Sequence, residues 1–262
     1  MIFLRAAVSG GCAETFKGRI FMSRLAEAIR NIRHNYCSAV VVAAGSSTRM
    51  GEDKLQITVG GKSVLLRSLE ALDSSPDIDE IIVVTRPEKL EAIASLALEA
   101  GIGKLSKVVI GGATRTESAL AGVSEADKRA KVICIHDGAR PFVSNEIIAD
   151  CVHEAVLHYA ACPVIPVKDT IRVGEKGVAR LTPPREDTFA VQTPQAFNAD
   201  IIKAALTAAV RDGKTYTDDC AAVEAMGVKI RLTPGSEDNI KVTTPLDIPL
   251  AEYIAAKMEG EV

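Results

Sequence analysis

From Ser38 onward two patterns alternate along the chain. Short β-branched apolar runs occur at Ala39–Ala43, Glu80–Thr85, Lys107–Ile110, Val132–Ile135 and Pro163–Val167. Runs without a polar alternation predict strands buried on both faces, as in a parallel sheet. Amphipathic stretches separate them. Leu65, Leu69 and Leu72 fall at i, i+4 and i+7 and so share one helix face. Lys89–Ala100 and Glu117–Lys128 carry the same period, as do Asp200–Arg211, Asp218–Met226 and Leu246–Lys257. Lys229–Thr233 reads as a further strand. Strand and helix in alternation predict βαβ units with right-handed crossovers, hence an α/β fold with a mostly parallel sheet flanked by helices.

One segment breaks this rhythm. Lys168–Asp187 contains Gly174, Gly177, Pro183 and Pro184, with alternating runs at Thr170–Val173 and Val178–Leu181. This predicts a β-hairpin arm that protrudes from the sheet, spanning about 168–187. An excursion of this length inside a domain is usually functional or an interface.

Composition narrows the function. The 262 residues are 47% hydrophobic and 25% charged, with a net charge of -3. No global basic field exists to hold a nucleic-acid backbone. No run reaches the roughly 20 apolar residues that cross a bilayer. These features exclude nucleic-acid and membrane partners and leave small molecules. The six cysteines, Cys12, Cys37, Cys134, Cys151, Cys162 and Cys220, form no C-x-x-C pair and no zinc spacing. Cys134 sits in an apolar run as a small core residue. Reduced thiols of this kind fit a cytoplasmic setting.

Residues 1–37 differ from the rest. Arg5, Lys17, Arg19, Arg24, Arg30 and Arg33 face only Glu14 and Glu27. The segment reads as a dispensable N-terminal extension, poorly ordered or with a short helix at Ser23–Arg33, before a domain spanning 38–262. A plastid transit peptide, or a true start at Met22, are the alternatives.

Candidate chemistry begins where the first strand ends. In Val40–Lys54 the strand gives way to Ala44, Gly45, Ser46 and Ser47, then Arg49 and Lys54. Small residues let the backbone approach a ligand, and successive N–H groups can cradle phosphate oxygens. A small-residue loop alone reads as an ordinary turn. Two cations beside it, at the carboxyl end of a strand in an open α/β sheet, favour a polyphosphate site instead. Two better-known phosphate loops are excluded. Gly61-Lys62-Ser63 would end a Walker A motif, but the required leading glycine is Gln56. The dinucleotide fingerprint lacks its second glycine after Gly45.

Other candidates follow in order. Gly111-Gly112, with Ser118 in the next helix, offers a second backbone approach point. His136-Asp137-Gly138-Ala139-Arg140-Pro141 follows a strand; Asp137 could hold a divalent metal or a hydroxyl, and Arg140 would face the same crevice. By itself His136 reads as a packed strand-end residue. Lys241, in a predicted short strand at Asn239–Pro245, is by default a solvated lysine. His153 and His158 mimic a zinc pair, but H-E-x-x-x-H does not put both on one helix face.

Taken together these residues resemble a known family. The ordered set AAGSSTRMG, GG…ES, HDGARPF, PVKDTI, VQTPQAF, TDD and DNIKVTTP is similar to the 2-C-methyl-D-erythritol 4-phosphate cytidylyltransferases. The resemblance covers nearly all of the chain from Ser38. It implies a Rossmann-like nucleotidyltransferase fold, a homodimer whose hairpin arms clasp, CTP as co-substrate and Mg²⁺ or another divalent cation. It places Arg49, Lys54 and Lys241 at the reacting phosphates, with Ala43, Ala44, Gly45, Gly112, Ser118 and Ala139 around the cytidine. Asp137, Arg140, Thr193 and Thr217 would surround the polyol phosphate, Asp137 also being the one candidate metal ligand. Thr170 and Arg185, on the arm, would complete the partner subunit's site. Two positions depart from the family pattern: no proline precedes Lys54, and Ala113 stands where many members place an aspartate. Ribitol 5-phosphate cytidylyltransferases share the same motif skeleton, and a non-catalytic nucleotide-binding homologue is the remaining alternative.

Overall fold

The computed structural model describes residues 35–45 and 57–260. The chain divides into two units, Met1–Asn35 and Tyr36–Val262, and every element below belongs to the second. The helix expected at Ser23–Arg33 and the cations Arg49 and Lys54 lie outside the described residues.

Four strands form the parallel heart of the sheet: β1 (Cys37–Val42), β4 (Glu80–Thr85), β5 (Leu105–Ile110) and β6 (Val132–Asp137). Their spatial order is β5-β4-β1-β6. All six residues of β4 and of β6 are buried, as expected of strands covered on both faces. The sheet continues through β11 (Gln195–Asn198), antiparallel to β6, then β7 (Ala160–Pro166) and β12 (Arg231–Pro234). β10 (Phe189–Val191) lies antiparallel along β7, which completes eight strands. The expected α/β architecture is therefore present, with one reversed path, β10 to β11, between parallel strands.

Helices cover both faces. On one side α1 (Val64–Ser74), α2 (Leu90–Glu99) and α4 (Asn145–His158) pack Leu65, Leu69, Leu72, Ile93 and Ile148 against Val41, Val83 and Cys134. On the other, α3 (Arg115–Ser124), α5 (Ala199–Arg211) and α6 (Asp219–Glu224) pack Ala119, Val123, Ile202, Leu206 and Val223 against Val40, Val84, Ile133 and Ile135. A third cluster joins α7 (Asp247–Glu259) to the small hairpin β2 (Thr58–Val59) and β3 (Lys62–Ser63), through Val59, Val242 and Ile254. None of the described helices is long and apolar enough to cross a membrane.

Several boundaries move from their expected places, for local reasons. α3 starts at Arg115 instead of Glu117, because Thr114 and Glu117 close a capping box around its first turn. β7 starts at Ala160 instead of Pro163, directly after Tyr159 ends α4 in a left-handed conformation (φ 74°). In the arm, β8 (Val173–Glu175) pairs with β9 (Val178–Leu181) through a two-residue loop, Lys176-Gly177, in which both φ values are positive. That turn sets the register and displaces the first arm strand from Thr170–Val173. The terminal strand runs Arg231–Pro234, later than Lys229–Thr233. Lys241 is not in a strand; it lies in an irregular loop tethered by Val242 N–H donating to the Ala139 carbonyl (2.9 Å).

Candidate active site

The carboxyl ends of β1, β4 and β6 open onto a cavity of about 460 Å³. Its walls come from the end of β1 (Val42 to Gly45), the loop and first turns of α3 (Gly112 to Arg115, and Ser118), and Asp137, Ala139, Arg86 and Lys241. A crevice at strand carboxyl ends is where open α/β sheets bind ligands. At Gly111 a small residue is sterically required. A side chain on Gly111 would come 2.7 Å from Ser118 Oγ and 3.0 Å from the Ala44 methyl. The two loops therefore close on each other only because Gly111 has no Cβ. Ser118 Oγ itself donates back to the Thr114 carbonyl (2.9 Å).

Asp137 is the only carboxylate among the described residues of the cavity wall. It is nearly buried, and three cations address it. Lys241 Nζ lies 2.7 Å from Oδ2, Arg115 Nη2 3.7 Å from Oδ1, and Arg140 Nε 3.9 Å from Oδ2. Burial pushes its carboxyl up, but Lys241, Arg115 and Arg140 outweigh that and hold it at about 2. The aspartate is thus anionic at any physiological pH. Lys241 is held to it from behind as well. Asp247, in the first turn of α7, accepts from Thr243 N–H (2.7 Å), Thr243 Oγ (3.0 Å) and Thr244 N–H (2.8 Å), and so fixes the loop that carries the lysine.

His136 is fully buried, and burial lowers its pKa to about 4. Its neutral ring has one N–H. Nε2 lies 3.1 Å from the Arg140 carbonyl, which can only accept, so Nε2 carries the proton. Nδ1 then accepts from the Thr193 hydroxyl (3.1 Å), whose oxygen accepts from Asp137 N–H (3.1 Å). This chain of bonds orients Thr193 and Asp137 and leaves His136 no free lone pair for base catalysis. The expectation of a packed strand-end histidine holds.

The structure brings most of the sequence candidates together. Ala43, Ala44, Gly45, Gly112, Ser118, Asp137, Ala139 and Lys241 all line the one cavity. Thr193 and Arg140 lie behind Asp137. The Arg140 guanidinium donates to the Asn239 carbonyl (2.7 Å) and points toward the Val191 carbonyl (3.4 Å). Thr217 is exposed just ahead of α6. Thr170 and Arg185 are exposed on the arm, where Arg185 Nη2 donates to Thr170 Oγ (2.9 Å). No cluster of three His, Cys, Asp or Glu side chains that could cage a metal occurs among the described residues.

The sequence profile of the 2-C-methyl-D-erythritol 4-phosphate cytidylyltransferases (IspD) matches residues 37–257. The chain belongs to this family. Its relative of that name from Caldanaerobacter subterraneus is 44% identical over 224 residues, covering 84% of this chain and 99% of the relative. Among solved structures, the 4-diphosphocytidyl-2C-methyl-D-erythritol synthase of Anaerococcus prevotii superposes with a TM-score of 0.76 at 32% identity, over 85% of this chain and 96% of that one. The 2-C-methyl-D-erythritol 4-phosphate cytidylyltransferase of Thermus thermophilus gives 0.66 at 31% identity, over 82% and 97%. The fold described above is thus the nucleotidyltransferase fold of this family.

Three charged residues of the site escaped sequence reasoning: Arg86, Arg115 and Asp219. Arg115 lines the cavity, and its Nη2 pairs with Asp219 at 2.7 Å. The Asp219 side chain is 1% exposed. Burial alone lowers the Arg115 pKa and raises that of Asp219; the two charges oppose both shifts, and for Arg115 the net direction is upward. One local feature pointed to Arg115. It is the first residue of α3, where the helix dipole disfavours a cation, so its presence calls for an acidic partner elsewhere.

Proposed function

We propose that this chain transfers CMP from CTP to 2-C-methyl-D-erythritol 4-phosphate, giving 4-diphosphocytidyl-2-C-methyl-D-erythritol and pyrophosphate. The observation that carries this reading is the meeting, in one cleft of the family's fold, of the small-residue walls with the Asp137–Lys241 pair. The walls at Ala43 to Gly45, Gly112, Ser118 and Ala139 suit a flat base and ribose, because backbone can approach closely there. Asp137, oriented through its N–H by Thr193, presents an acceptor for a polyol hydroxyl.

In the proposed step an oxygen of the substrate phosphate attacks the α-phosphorus of CTP in line, forming a P–O bond as the bond to pyrophosphate breaks. That nucleophile is anionic at neutral pH, so positioning and charge neutralisation suffice without a general base. The neutral, fully engaged His136 agrees with this. Lys241 meets the incoming phosphate, and Arg49 and Lys54 neutralise the triphosphate. Among the described residues Asp137 is the one carboxylate on the wall, which supports Mg²⁺ carried mainly by the triphosphate oxygens with Asp137 able to assist. The ion, when bound, would screen the charge of the departing pyrophosphate.

The arm supports a homodimer. Val173, Val178 and Leu181 are 51%, 67% and 58% exposed in one hairpin, an apolar face that a second copy would cover. Arg185 and Thr170 would then reach the partner's cleft. Mixed dimers of Arg185→Ala and Arg49→Ala subunits check this. If Arg185 serves the partner's cleft, the mixed dimer keeps one intact site, in the Arg185→Ala subunit, and one doubly defective site, whereas independent sites would leave one impaired and one inactive site and no intact one.

The reaction is tested with the purified full chain, CTP and Mg²⁺, in parallel with 2-C-methyl-D-erythritol 4-phosphate and with ribitol 5-phosphate, by pyrophosphate release. Turnover of the first is expected. Turnover of ribitol 5-phosphate alone would overturn the reading. No release with either substrate would mark a non-catalytic nucleotide-binding protein.

A further inference from the structure

Lys241 has two demands on it. It is paired with Asp137 at 2.7 Å, and the reaction proposed above asks the same ammonium to serve a phosphate. As the lysine turns, the nearly buried Asp137 needs another cation, because an unpaired charge in such a place is strongly disfavoured. Arg140 can supply it only at Oδ2, and only by closing a gap. Its Nη1 is engaged by the Asn239 carbonyl, and its Nε stays 3.9 Å from Asp137 on the same Oδ2 that Lys241 uses. Arg115 approaches the other oxygen, Oδ1, at 3.7 Å.

What keeps Arg115 there is Asp219. That buried carboxylate takes Arg115 Nη2 at 2.7 Å and is itself fixed, since its backbone N–H donates to Gln195 Oε1 (3.0 Å). The Gln195 amide in turn donates to Asp218, the cap of α6 (3.0 Å). The guanidinium is thus fastened to α6, projects into the cleft from the first turn of α3, and faces the end of β6. Three elements that carry candidate ligands are tied at one group.

We infer that Arg115 is a positioning residue of this reaction: anchored on Asp219, it holds the Asp137 carboxylate in place and compensated while Lys241 turns from Asp137 to the phosphates. The inference rests on the function proposed above. It predicts that Arg115 acts through Lys241. Without Arg115, the lysine stays longer on Asp137, and the variant loses part of what its ammonium contributes.

The test compares wild type, the double variant Arg115→Gln/Asp219→Asn, Lys241→Ala, and the triple variant. The double variant replaces a buried ion pair with a neutral hydrogen-bonding pair of similar shape, which spares the fold. It is expected to melt near the wild-type temperature and to bind CTP with near wild-type affinity. Its kcat should be about tenfold to a hundredfold lower, the scale on which a misplaced reacting group is felt. In the Lys241→Ala background the same double change should cost less than about threefold, since residues that act as a unit are non-additive. A double variant within about threefold of wild-type kcat overturns the inference, and so does a loss that multiplies in full on Lys241→Ala. Should the double variant fail to fold, Arg115→Lys, which keeps a cation near Asp219 but lacks the guanidinium Nη2 that stands between Asp219 and Asp137, is held to the same two criteria. Absence of wild-type turnover would overturn the proposed function instead, and is read in the same assay.

Discussion

The cleft and the hairpin arm contain ion pairs of nearly equal length and unequal consequence. In the arm region, Arg180–Glu175 closes at 2.6 Å and Lys168–Glu237 at 2.7 Å. In the cleft, Arg115–Asp219 closes at 2.7 Å. The arm side chains are 48% to 74% exposed, so water screens them and their order costs side-chain entropy. In the cleft Asp219 is 1% exposed and Arg115 24%, so each charge depends on the other. Distance does not decide what a contact contributes; the surrounding medium does. The apolar residues sort the same way, packed under the cleft and exposed along the arm. The cleft is a finished structure, and the arm presents an unfinished surface.

The largest effect expected from this contrast is kinetic. Lys241→Ala should lower kcat about 10²- to 10³-fold, the usual cost of one well-placed donor to developing charge. Circular dichroism and the melting curve should stay close to wild type, because the lysine sits in a loop held independently by Asp247. Near-normal turnover, or loss of fold, would remove Lys241 from its assigned role.

Next in size is Asp219→Ala. It leaves Arg115 facing a gap and strips α6 of its tie, and should destabilise the chain by about 3 kcal/mol, the low end for a broken buried pair because Arg115 is partly exposed. Urea titration measures it. A change no larger than that of an arm substitution would erase the distinction drawn above.

A pH effect of moderate size follows from His136. Its folded pKa of about 4 lies below the usual value, so between about pH 6.5 and 4 the unfolded chain binds the extra proton. Stability is therefore full above that window and lost as the pH falls through it, by about 2 kcal/mol between about pH 7.5 and pH 5. His136→Gln should be less stable at neutral pH yet show a flatter slope across that range. An unchanged slope would mean that His136 does not titrate as its burial dictates.

The smallest effect belongs to the arm. Arg180→Ala should leave the melting temperature unchanged, although it removes the shorter contact. Replacing Val178 and Leu181 by serine should also leave the chain folded, but light scattering should show the proposed dimer dissociating. An arm substitution that unfolds the protomer would show that the arm is part of the core after all.

Much of this was legible in the order of residues. The runs at Glu80–Thr85 and Val132–Ile135 are strands because β-branched residues without polar alternation have no other way to be buried on both sides. The loop after the first strand, the Gly111-Gly112 turn and the Asp137 strand end were found from residue type and position relative to those strands. The α4 helix and the short strands β2, β3, β10 and β11 were not found. The β10 and β11 strands are three and four residues long and antiparallel, and their neighbours β6 and β7 come from earlier in the chain. No local period marks such strands, because what makes them strands is their pairing with β6 and β7.

The sequence by itself determined the α/β class, the family and the small-residue walls of the cleft. These depend on side-chain size and on contacts within a few residues, which a linear pattern carries. Only the tertiary structure decided that Arg115 meets Asp219, 104 positions away, that three cations converge on one aspartate, and that the packed His136 ring links Thr193 to the Arg140 carbonyl. Each of those depends on burial and on which strands become neighbours. A charge acquires its partner and its dielectric at the same moment, when the sheet closes around it.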